Sequence, residues 1–293
     1  HTPVPGAEVY VTFPRAVKSL KMTTDGSGVA NFTQILGSYF VPMVYNTTPS
    51  YGWIKVEVKK YGVTVFSGVF SPRAHSTGGN YTGVIYVDLY MVSFRLLDAK
   101  GELTLNDRDD IMIELTHPTG VRFNVTAPRG AVSDVLIPAG ISYSAVVYYK
   151  GVKLTPLVGA TFNITESETF ELKLPVYNAT FKAVQYDTGQ ALESLKAVVT
   201  YPDNSVDSFT TNEEGYVSFP LVPIGTYEVV FKVTSTTPAM NSPYLVDKEV
   251  GRYSFTITDA DIIETAKTYV YSPTLVFRLS TGEEIPSAYK NLT

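Results

Sequence analysis

The sequence contains no cysteine. Disulfides, thiolate metal sites, haem attachment and a thiol nucleophile are therefore excluded, and outside the cell the chain would have to rely on packing for stability. Histidine occurs only as His1, His75 and His117, scattered along the chain, and a histidine metal site is not expected. Charged residues make up 17% and the net charge is −5, with a pI near 5.3, so there is no basic footprint for nucleic acid. No apolar run reaches the roughly 18 residues of a membrane helix, and no span is expected in this segment. No signal peptide is recognised and the first residue is His1, so the segment reads as a processed or excised piece, or as a soluble protein. A Gly-x-Ser-x-Gly elbow and a Gly-rich loop opening a helix are both missing. No catalytic residue is assigned, and the chain reads as a non-enzyme.

What the sequence does have is strand composition. Tyrosine reaches 21 copies, and threonine and valine are abundant. Residues 210–231 read as strand, tight turn, strand, Pro-Gly turn, strand. Gly215 supplies the left-handed turn position, Val217 and Phe219 point one way, and Tyr227, Val229 and Phe231 form the inward set of the last strand. Helix is scarce: residues 258–267 form the one good candidate, with Asp or Thr as cap and Lys267 in the last turn. Residues 37–51, 71–81 and 234–245 read as long loops or insertions.

The pattern repeats. Residues 92–96 (VSFRL), 179–183 (ATFKA) and 275–279 (LVFRL) each read as an opening strand with an inward phenylalanine (Phe94, Phe181, Phe277) followed by a cation, then a glycine turn. The phenylalanines recur at about 90 residues, an ordinary sandwich length. Residues 23–32 (TTDGSGVANF), 126–135 (TAPRGAVSDV) and 210–219 (TTNEEGYVSF) share the next position, and LIPAGISY at 136–143 matches LVPIGTY at 221–227. The modules are placed at 1–90 (first strand missing), 91–176 and 177–272, with 273–293 starting a further module or supplying an exchanged strand. Open edges of this kind invite pairing with another chain.

Residues 3–9 (PVPGAEV) with 23–32, and 210–219 with 223–229, resemble the Cna-B-like and carboxypeptidase-regulatory-like β-sandwich domains. The resemblance covers most of the chain. It implies an all-β fold of tandem Ig-like or prealbumin-like sandwich modules with almost no helix. Domains of this kind serve as stalks, adhesins, surface lattices and enzyme appendages. Cna-B domains also carry a Lys–Asn isopeptide bond. Lys182 lies in the corresponding strand, but its counterparts Arg95 and Arg278 cannot form that bond, and none is expected here.

Asn-x-Thr sequons occur at Asn31, Asn46, Asn80, Asn124, Asn163, Asn178 and Asn291. With eleven asparagines and roughly a fifth of the chain Ser or Thr, chance gives about two. Alternation sets Asn31, Asn124 and Asn163 on the solvent face. N-linked glycans are thus the one modification expected, and no cofactor is. Asp107, Asp109 and Asp110 could bind Ca²⁺, though Arg108 offsets their charge and a solvated turn reads better. Trp53 with Tyr51 and Tyr45 could stack on a sugar, or Trp53 could sit in the sandwich core or cover a loop. Tandem modules, dense sequons and no cysteine look like archaeal surface-layer or extracellular filament glycoproteins. That implies a self-assembling extracellular structural subunit whose partners are copies of itself or other surface-layer subunits. The alternative is an adhesin or carbohydrate-binding appendage of a larger secreted protein.

Overall fold

Strands form wherever β-branched and aromatic residues alternate with polar ones, and that alternation runs through almost the whole chain. The computed structural model describes residues 2–12, 19–32, 43–45, 48–50, 54–70, 84–106, 108–237 and 245–271. The chain divides into two compact units, His1–Val176 and Tyr177–Thr293. The architecture is all-β, with one 3-10 turn at Pro128–Gly130 and no longer helix among the described residues. None of their helices is long and apolar enough to cross a membrane.

The first unit opens with β1 (Glu8–Thr12), β2 (Leu20–Thr23), β3 (Met43–Tyr45), β4 (Thr48–Ser50), β5 (Ile54–Lys60) and β6 (Val63–Phe70). Four of these make a sheet in the order β2-β1-β5-β6, while β3 and β4 pair with each other. Residues 37–51, expected as a long loop or insertion, contain a short antiparallel pair. Val9, Val11, Val56, Val58 and Val65 supply the buried face of the four-stranded sheet.

The same unit continues with β7 (Leu89–Leu97), β8 (Met112–Thr116), β9 (Arg122–Thr126), β10 (Ala131–Pro138), β11 (Gly140–Tyr149), β12 (Val152–Leu154), β13 (Thr161–Ile164) and β14 (Thr169–Lys173). One sheet is β10-β7-β14, with β14 parallel to β7; the other is β12-β11-β8-β9, with β13 added on β11. Between them lie Phe94, Tyr143, Phe162 and Phe170, whose rings pack pairwise.

The second unit repeats this arrangement. It contains β15 (Val176–Gln185), β16 (Lys196–Thr200), β17 (Val206–Thr210), β18 (Tyr216–Pro223), β19 (Gly225–Lys232), β20 (Glu249–Ile257) and β21 (Ile262–Thr268). Its sheets are β18-β15-β21, with β21 parallel to β15, and β17-β16-β19-β20. Phe181, Phe219, Val229, Phe231 and Phe255, drawn from both sheets, form one core. Opening strand, hairpin, crossover and closing parallel strand therefore occur in the same order in both.

One expectation is corrected. Residues 258–267 are not helical; most of them enter β21. Ile262, Ile263 and Thr265 are β-branched, Ala266 and Thr268 alternate inward, and seven register pairs with β15 complete the sheet. The capping acid Asp261 instead accepts a hydrogen bond from the Asn178 backbone N–H at 2.8 Å. The Pro-Gly turn expected at 223–225 lies between β18 and β19. β18 pairs with β15 while β19 pairs with β16 and β20, so the chain there switches sheets.

A tyrosine pins this crossover in each copy. The Tyr143 hydroxyl donates to the Pro138 carbonyl at 2.8 Å, and that of Tyr227 to the Ile224 carbonyl at 3.3 Å. Burial pushes both phenols up from their usual range, Tyr227 to about 12. Ionisation is thus disfavoured in the folded state. Stability from these groups is fully present below the unfolded value near 10 and is lost as pH rises from there toward the folded value. Thermal melts followed by circular dichroism are expected to be flat from pH 8 to about 9.5 and to fall steeply above about 10. Tyr227→Phe should blunt that fall, and an unchanged alkaline limb in that variant would count against this account.

Candidate functional site

The sequon asparagines follow strand alternation. Asn31 is exposed between Ala30 and Phe32, which pack on the first core. On β9, Asn124 is exposed between buried Phe123 and Val125 and faces Glu114 of β8 across the ladder. On β13, Asn163 is exposed, and its Oδ1 accepts a hydrogen bond from the Ser142 N–H at 2.8 Å. That bond leaves Nδ2, the atom a glycan would take, outside it. Asn178 is half-buried near the start of β15. Asn46, Asn80 and Asn291 lie outside the described residues.

The acidic turn is engaged by arginines. Asp110 takes a two-pronged bond from Arg108 at 2.8 and 2.7 Å, which holds its carboxyl below the usual range. Asp109 meets Arg129 Nε at 3.1 Å. Asp107 is outside the described residues, among which no group of three or more His, Asp or Glu is arranged to hold a metal. His117 is buried, with Nδ1 against Thr119 Oγ1 at 2.7 Å and Nε2 against the Ala139 carbonyl at 3.1 Å, so its role is to fix the crossover. Trp53 and Tyr51 lie outside the described residues, and of Tyr45 only its place in β3 is described.

Lys182 does not enter a core. Phe181 and Ala183 on either side are buried, while the Lys182 ammonium sits 5.1 Å over the Tyr216 ring. Arg95, its counterpart on β7, pairs with Glu171 on β14 at 2.8 Å. In both modules the cation after the opening phenylalanine serves the outer surface. Sequence reading missed an exposed pair, Tyr186 and Tyr271, with ring centroids 5.5 Å apart. The signal lay in their positions just past the ends of β15 and β21, where tyrosines no longer face the core.

No protein-family model matches the chain, and no curated protein matches it. It is similar to several solved structures. The TIE protein of Bacillus anthracis is 14% identical, with a TM-score of 0.30 over 91% of this chain and 48% of that one. This chain therefore spans about half the length of that protein. The shaft pilin SpaA from Lactobacillus rhamnosus GG is 10% identical, with a TM-score of 0.28 over 63% of this chain and 100% of that one. The major pilin subunit of Bacillus cereus is 9% identical, with a TM-score of 0.28 over 91% of this chain and 95% of that one. The fold stands on the chain's own strands and cores, as described above.

Proposed function

We propose that this chain is a structural segment of an extracellular assembly, a filament or surface lattice, built from tandem N-glycosylated sandwich modules. The observation that carries this reading is the repetition of one two-sheet topology over β7–β14 and β15–β21. Repeated modules with independent cores suit load-bearing and spacing, because each copy adds length without new chemistry. The outward sequons support the extracellular part: glycans at Asn124 and Asn163 would stand on strand faces, and one at the exposed Asn31 outside any strand, without disturbing a core. Dense sequons without cysteine favour the surface-layer form, of archaeal type, and copies of the same chain are the proposed partners. No catalytic role is assigned, and the only prosthetic groups proposed are the glycans.

Glycopeptide mass spectrometry on native material tests this. Asn124 and Asn163 are expected to be occupied, and Asn124→Gln should remove one glycan mass while changing the unfolding free energy by no more than a surface change does, about 0.5 kcal/mol. Bare asparagine at all seven sequons would sink the surface-glycoprotein reading. A protein that stays monomeric and binds a defined polysaccharide would favour the adhesin or carbohydrate-binding alternative.

A further inference from the structure

The turn between β5 and β6 has two residues, Tyr61 and Gly62, because Lys60 pairs with Val63. Both take positive φ, 52° and 81°. That is the geometry of a primed hairpin turn, for which Asn-Gly is the favoured pair. A bulky side chain at φ 52° strains the backbone and calls for a compensating contact.

The contact lies on another sheet. The Tyr61 ring lies flat on Phe123 of β9, with centroids 4.5 Å apart and planes 6° apart. Gly62 comes so close to Val121 that an added Cβ would stand 3.4 Å from its Cγ1. The Lys60 ammonium sits 5.0 Å over the Tyr61 ring and donates to the Pro5 carbonyl at 2.7 Å, which ties the turn to the chain entering β1. Burial pushes the Tyr61 phenol up and the Lys60 ammonium down from their usual ranges. From Phe123 the ring contacts continue edge-on to Tyr143, whose hydroxyl holds the crossover after β10.

A sandwich of this topology needs no aromatic at that place for its own core. In the second unit β17 occupies the edge that β9 occupies in the first. Phe123 faces Leu115, and Leu115 faces Ala145, two residues past Tyr143. By the same count Asp207 faces Val199, and Val199 faces Val229, two residues past Tyr227. Asp207 there accepts a hydrogen bond from the Tyr201 hydroxyl at 2.7 Å. Phe123, by contrast, is only 8% exposed although β9 is the last strand of its sheet, and the Tyr61 ring is stacked on it.

We infer that Tyr61 is a clasp, which seats the four-stranded sheet β2-β1-β5-β6 on the edge strand β9 so that this sheet and the β7–β14 sandwich unfold, and carry load, as one body. The surface it uses on the sandwich is the strip formed by Val121 and Phe123, and the partner that fits this strip is a tight turn with a flat ring at its tip. A ring held by a strained turn and stacked on a second ring fixes the spacing of the two surfaces, as a polar contact between mobile side chains would not. The clasp goes beyond the structural reading above and stands apart from its glycans: glycopeptide spectrometry can fail while the clasp holds, and the reverse.

The test is amide hydrogen exchange on the full chain, with calorimetry beside it. Tyr61→Asn removes the ring and suits the backbone of the turn better than tyrosine does. The amides of β1 and β5 should then exchange roughly tenfold faster, those of β7 should change far less, and the single transition of the His1–Val176 unit should split in two. A tyrosine that served only the turn gives the opposite result, an undivided transition with equal or slower exchange in β1 and β5, and that overturns the proposal. Phe123→Leu keeps the strip apolar but removes the stack, and should speed β1 and β5 by a similar factor. Combining the two variants should add less than about twofold, since both remove one contact. Factors that multiply would mean that the residues act separately, and would overturn the clasp as well. Should Phe123→Leu disturb the sandwich itself, seen as faster exchange in β7, the Tyr61→Asn arm decides alone.

Discussion

Phe181→Ala is expected to lower the stability of the Tyr177–Thr293 unit by about 3 to 5 kcal/mol. The ring is fully buried at the centre of β15. It packs against Phe255 at 4.9 Å, and against Phe219 and Tyr253 at 6.2 Å, in edge-on geometry in each case. Removing it deletes the contact that joins β15 and β18 on one sheet to β20 on the other, and the surrounding strands are too constrained by their ladders to close the void. A domain of this size has only about 5 to 15 kcal/mol in total. The loss should move its melting transition down by at least about 12 °C. Scanning calorimetry would show this as one displaced transition, with that of the His1–Val176 unit unmoved. Phe209→Ala makes the control: that ring is 42% exposed and its loss should cost about 1 kcal/mol or less. Equal shifts for the two variants would refute the assignment of Phe181 to the centre of the core.

Gly215→Ala is expected to cost about 2 to 4 kcal/mol, more than a left-handed backbone alone explains. Gly215 has φ +79°, and a Cβ there would lie 2.7 Å from the Ala183 carbonyl oxygen and 3.1 Å from the Leu192 nitrogen. Both are backbone atoms fixed by hydrogen bonds: the Ala183 N–H donates to the Gly215 carbonyl at 2.9 Å, and the Leu192 N–H to the Ala183 carbonyl at 3.0 Å. Neither can yield without opening the edge of β15. Gly189 separates the two contributions, because its φ is +70° but nothing lies within 4 Å of an added Cβ. Gly189→Ala should therefore cost only the backbone strain, about 1 kcal/mol. Urea denaturation of both variants gives the comparison, and a Gly215 cost no larger than that of Gly189 would remove the close-approach argument.

Much of this core was legible because strand alternation has a period of two and the sequence keeps to it. Val217, Phe219, Tyr227, Val229 and Phe231 are buried as their spacing requires, and Asn124 and Asn163 are exposed for the same reason. The turn glycines were legible too, since only glycine takes φ +79° at Gly215 without strain. The closing strand β21 was not. Asp259, Asp261 and Lys267 read locally as a capped helix, but helix propensity is worth a few tenths of a kcal/mol per residue, less than a parallel ladder along β15 and burial of Ala266 and Thr268. The exposed Tyr186 and Tyr271 were hidden because composition counts tyrosines without saying which leave the sheet.

The sequence by itself determined the strand content, the inward residues, the turn positions and the repeat, because each follows from local chemistry at fixed spacing. Only the tertiary structure decided which strands are neighbours. That the Pro-Gly segments at 138–140 and 223–225 carry the chain between sheets, and that β14 and β21 run parallel to the opening strands, depend on pairings between residues far apart in the sequence, such as Ala131 with Arg95 and Ala179 with Ile262. A strand's own residues fix which of its faces is apolar. Which edge it joins is fixed by the core that several distant strands must cover together.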